Sequence, residues 1–162
     1  MPTRMNRPRR MNAPPMPSMF PHTVTLYQTE IIPGDKYNDK TANYITVLEG
    51  VLLIESKAAN VRATGLEGAD AANLHIPFGV KATDGVTGKE KTYVDPVEGW
   101  KKDADKSDIW TISVGTVFVK GREMHPDADR HQLELGYDGV YEATKVDKMD
   151  FGGFPHFEVG GN

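Results

Sequence analysis

Hydrophobic and polar residues alternate with a period of two along much of this chain, the spacing of strands half buried against a core. Residues 22–30 (HTVTLYQTE) alternate cleanly and are rich in β-branched and aromatic side chains, predicting a strand. Pro33, Gly34 and Asp35 then supply turn chemistry. Residues 44–54 form a second β-branched run in which Gly50 marks a bulge or bend. A short strand is expected over 74–80, where Pro77 implies an edge or an irregular end, because proline cannot donate to a ladder.

The strongest apolar run, 109–119, is interrupted by Gly115, which predicts two strands or one bulged strand. Residues 139–146 and 157–159 complete the set. Only 96–105 carries helical spacing, and it is short. Two long stretches, 55–72 and 81–108, lack a core-building pattern; the first is small and polar, the second charged and home to Trp100. Loops of that length in a compact domain are functional or ordered by a partner more often than idle. The expected fold is therefore mostly β, a small β-barrel or sandwich with long loops.

Residues 1–19 read differently. Pro2, Pro8, Pro14, Pro15 and Pro17 favour extended or polyproline II geometry and exclude a helix, and five of the seven methionines (Met1, Met5, Met11, Met16, Met19) fall here. The expected organisation is an extended basic arm, 1–19, followed by a β-domain over 20–162. Charge sharpens the division. The chain has 19 Lys+Arg against 23 Asp+Glu; Arg4, Arg7, Arg9 and Arg10 lie in the arm, which has no acid, leaving 15 bases and 23 acids, or -8, in the body. Arginine with adaptable methionine suits gripping an acidic partner surface. An acidic body cannot supply the counterion release that drives ordinary phosphate binding, and the four arginines would bring phosphate contacts without base readout.

The 162 residues contain no cysteine, which excludes disulfides and thiolate metal ligands. Hydrophobic residues make up 38% and mean hydropathy is -0.49. No apolar run reaches the ~20 residues of a membrane span, and no apolar region follows the first residues as in a secretory signal, so neither membrane insertion nor export by that route is expected.

Candidate chemistry is sparse. His125, Asp127, Asp129 and His131 could hold zinc, iron or manganese, but their spacing matches neither a zincin helix nor an EF-hand, and a polar surface loop is the preferred reading. His22 and His156 each close a Phe-Pro-His triplet, 20–22 and 154–156, in which proline restricts its predecessor to extended backbone. Packing and hydrogen bonding are the roles expected of them, and of His75. No Gly-x-Ser-x-Gly elbow or phosphate-binding Gly-x-x-x-x-Gly-Lys loop is present, so no catalytic residue, cofactor or metal is assigned. Two rivals remain: a small metal-dependent hydrolase using the His125–His131 residues, and a glycan-binding β-module with Trp100 and Trp110 as platforms.

Several stretches resemble the small minor capsid or head-completion proteins of siphoviruses: 20–27 (FPHTVTLY), 47–57 (VLEGVLLIESK), 115–121 (GTVFVKG), 141–147 (YEATKVD), 150–152 (DFG) and 155–161 (PHFEVGG). Their order and spacing cover the body and omit the arm. The resemblance implies a small barrel acting as a head-closure (stopper) protein of the head–tail connector, in the virion, assembled in the host cytoplasm. Copies would form a ring between the portal and adaptor on one side and tail proteins on the other. Packaged DNA would pass through the lumen without sequence-specific binding, repelled by acidic walls. An adaptor, tail terminator or decoration protein is the alternative within this class. Partner contacts are expected from Arg4, Arg7, Arg9 and Arg10 of the arm and from Phe154, His156 and Phe157.

Overall fold

The structure, a computed structural model, describes residues 19–34, 37–57, 59–62, 65–68, 71–103 and 105–162, with backbone alone for 59–62 and 65–68. Strands β1 (His22–Ile32) and β2 (Lys40–Ser56) form a long antiparallel hairpin. Alternation decides which face each residue takes. Val24 and Leu26 point into the core and are fully buried, while Thr25 and Tyr27 point to the outer side. The register slips between His22 and Thr23, and the residue skipped on β2 is Gly50, at φ +91°. That conformation costs glycine little, and the resulting bulge bends β2 away from β1 and onto its next partner.

Five more short elements follow: β3 (Ala59–Arg62), β4 (Gly65–Gly68), β5 (Ala71–Pro77), β6 (Lys81–Asp84) and β7 (Thr92–Tyr93). After a single π-helical turn at Pro96–Trp100 come β8 (Ile109–Trp110), β9 (Val117–Lys120), a helix α1 (Arg130–Gly136), β10 (Val140–Met149) and β11 (His156–Gly161). Strands β1, β9, β10, β11, β5 and β2 pair in that order, and β2 returns to β1, closing a six-stranded antiparallel barrel. Strand β6 extends the β5 side along β2, through pairs from Thr46↔Asp84 to Glu49↔Lys81. The expected barrel is thus the observed one. Closure leaves no unpaired wall strand to template aggregation.

The interior is packed solid with Leu26, Leu48, Leu74, Ile76, Phe118 and Tyr141, each essentially without exposure. Each such side chain stabilises the fold by about 1.5–3 kcal/mol through loss of apolar surface from water. A second, smaller core lies on the outer side of the wall, where Tyr27, Ile45, Val119 and Val140 are covered by Leu133 of α1 and by Ala128. Among the described residues no helix is long and apolar enough to cross a membrane.

Three expectations need correction. The stretch 55–72 is not all loop, because its middle pairs as the β3–β4 ribbon. The stretch 81–108 contributes β6 and β7, and buries Lys91, whose Nζ lies 3.2 Å from Asp84 and 3.1 Å from the Ile45 carbonyl. Helical spacing at 96–105 yields, among the described residues, only the π turn, whereas the seven-residue α1 arises where a polar loop was expected. Its start is set by Asp129, whose carboxylate accepts from the Gln132 amide while the Gln132 side chain accepts from Asp129, a capping box.

Candidate functional site: an aromatic and imidazole patch on the barrel wall

Strands β5 and β11 are neighbours in the wall, in register at Glu158↔His75. Leu74, Ile76, Phe157 and Val159 fill the core, so the intervening His75, His156 and Glu158 stand on the outer surface. The Glu158 carboxylate lies 3.1 Å from His156 Nε2 and 4.0 Å from His75 Nδ1. On its far side the His156 ring donates through Nδ1 to the Phe154 carbonyl, 2.8 Å away. That backbone hydrogen bond, followed by the Glu158 carboxylate, raises the His156 pKa above its ordinary value.

The aromatic rings continue the patch. Phe154 packs tilted against His156 with centroids 5.5 Å apart, and Phe20 stacks on Phe154 at 5.2 Å and 20°. The fold therefore brings the two Phe-Pro-His triplets together, although 131 positions separate His22 from Gly153, the residue before the second. His22 of the first triplet turns the other way and accepts the Leu53 amide at Nδ1, 3.0 Å, which pins the start of β1 to β2.

Of the residues expected to meet a partner, Phe154 is 48% exposed and His156 half-buried, so both can be reached. Phe157 is 3% exposed, packed against Tyr93, Phe78 and Trp110 inside the wall, so a partner would meet its neighbours and not its ring. Arg4, Arg7, Arg9 and Arg10 lie outside the described residues.

The residues of the metal-hydrolase rival are not drawn together into a ligand set. Asp129 is committed to capping α1, His125 pairs with Glu123, and His131 lies on α1 itself. Among the described residues the group with ligand atoms close enough for a shared ion is His75, His156 and Glu158. The glycan-binding rival loses one platform, since Trp110 is 3% exposed in the core. Trp100 instead stacks edge-on against Tyr44 and lines an open cleft of about 860 Å³ beside the N-terminus of α1, a feature not foreseen from sequence.

Residues 19–162 match a protein family, the family of unknown function DUF6751, and the chain belongs to it. No curated protein and no solved structure matches.

Proposed function

With that family as premise, we propose that this is a non-enzymatic structural protein of a phage neck, a head-closure ring component between portal or adaptor and tail. The observation that carries the reading is a closed, side-chain-filled barrel with exposed apolar side chains, Phe151 and Phe154 among them, outside the wall. Such a barrel has no interior route for anything, so a channel for DNA would be the hole of a ring of barrels. The body's net -8 would line that hole with charge of the same sign as DNA, allowing sliding without adhesion. The +4 charge of residues 1–19 is of the sign that an adjacent acidic body would receive. The resemblance of 20–27, 115–121 and 155–161 to head-completion proteins points to the same class, and those stretches hold the first part of β1 and the whole of β9 and β11.

The test is assembly. Mass photometry and negative-stain microscopy of the full chain, alone and mixed with a portal–adaptor complex from the same genome, should show closed rings or occupancy of the portal end. A chain that stays monomeric and ignores the portal would sink the proposal. Deleting residues 1–18 should weaken ring formation or docking while leaving circular dichroism and melting temperature unchanged, because the barrel core lies wholly in 24–159. Full-strength assembly without the arm would remove it from the mechanism.

A further inference from the structure

We propose that His75, His156 and Glu158 form a binding site for a divalent transition-metal ion, with zinc the ion the ligand set suits. This inference does not rest on the assembly reading. Two imidazoles and one carboxylate are a combination that zinc accepts with a fourth position left for water or an outside donor. Their ligand atoms all lie within 4.8 Å of one another. Around a tetrahedral zinc with bonds of about 2.0–2.2 Å, ligand atoms stand roughly 3.3–3.5 Å apart. The 3.1 Å and 4.0 Å separations to Glu158 bracket that spacing, and with every pair within 4.8 Å, side-chain adjustment without movement of the strands would close the site.

Three features distinguish this cluster from a chance surface group. All three ligands project from wall strands paired on both sides, β5 between β2 and β11, and β11 between β5 and β10, so their backbones are held in place. The hydrogen bond from His156 Nδ1 to the Phe154 carbonyl keeps a proton on Nδ1 and turns Nε2 toward Glu158, where an incoming ion would replace the proton that Nε2 shares with the carboxylate. A carbonyl behind a ligating histidine is the usual outer-shell partner of such sites, fixing tautomer and ring angle together. Pro155 follows Phe154 and confines it to extended backbone, which steadies that carbonyl. The Phe154 ring packs tilted against His156, and the His75 and His156 side chains are only 25% and 21% exposed, which limits hydration of the two imidazoles, while Glu158 at 42% leaves the site open to an ion.

An ion held here would tie β5 to β11 across the wall and steady the 150–155 turn that presents Phe154. Because the three side chains lie on the outer surface, a fourth position would be open to a histidine or carboxylate of a second molecule.

The experiment uses the full chain stripped with chelator and titrated with zinc chloride by calorimetry, with cobalt(II) as a spectroscopic substitute. Expected are one zinc per chain with Kd on the order of 1 μM or tighter, tetrahedral cobalt absorption, and a melting temperature higher by roughly 5 °C at a hundredfold excess. His75→Asn and Glu158→Gln should each weaken binding tenfold or more while the metal-free melting temperature holds, since both side chains face outward. Absence of saturable binding, or undiminished binding by the double variant, overturns the site. Should the variants fold poorly, nitrogen-resolved histidine spectra of the unsubstituted chain decide: zinc should shift the His75 and His156 rings and leave His22 in place. Shifts confined to His125 and His131 would overturn the proposal.

Discussion

Replacing Phe118 with alanine should lower the unfolding free energy by about 3–5 kcal/mol, a large part of the 5–15 kcal/mol that domains possess. Phe118 is fully buried in β9, opposite Leu26 on one neighbour and Tyr141 on the other, with its ring 5.6 Å from that of Tyr141. The wall cannot collapse into the vacated space, because β9 is hydrogen bonded on both sides and the cavity would persist. The same ring explains Gly161: a Cβ there would lie 2.8 Å from Phe118 Cζ and 3.1 Å from the Glu142 carbonyl. Gly161→Ala should therefore cost about 1–3 kcal/mol by overpacking, and much of that should disappear in a Phe118→Leu background. Urea unfolding with unchanged m-value is the measurement. A loss under about 1 kcal/mol for Phe118→Ala would mean that the interior is not packed as described.

The barrel was legible where local chemistry and tertiary position agree. The alternation over 22–30 set the faces of β1, and Gly50 and Gly115 were readable as breaks because both take positive φ, +91° and +94°. Helix α1 was not legible by periodicity, since seven residues contribute one buried side chain, Leu133. Its one local signal is the Asp129–Gln132 capping box, easily lost among candidate metal ligands. The β3–β4 ribbon, rich in glycine and alanine, carries little strand propensity of its own.

For the site, the Phe-Pro-His triplet singled out His156, but its companions are set by register. Glu158 meets His75 only because β11 pairs with β5 across 83 positions, and no spacing in the sequence encodes that. The inward turn of Phe157 was readable, in contrast, from the period of two that puts His156 and Glu158 outside. Long-range pairing is what sequence reading lacks here, and the site is made of it.

The second large effect concerns Glu123, which holds α1 and the 121–129 segment against the barrel. Its carboxylate is buried and accepts from the Tyr137 hydroxyl, from the Met124 and His125 amides, and faces the His125 ring; its own amide donates to Thr25 Oγ1 at 2.9 Å. Burial alone would raise its pKa, but the hydrogen bonds from Tyr137, His125 and the two amides outweigh burial and bring it to about 2 from an ordinary 4.5. A seven-residue helix has no stability of its own, so it depends on Leu133 and on this anchor. Glu123→Ala should cost about 3 kcal/mol near neutral pH and open the amides of 121–137 to hydrogen exchange ahead of the barrel. The pH dependence follows from the sign of the shift. A carboxyl with a depressed folded pKa stabilises fully above about 4.5, and that contribution is lost as pH falls toward about 2. Urea titrations should therefore show the gap between the two proteins shrinking to under half by about pH 3. A gap that stays constant from neutral pH to that point would mean that the ionised carboxylate is not what anchors α1.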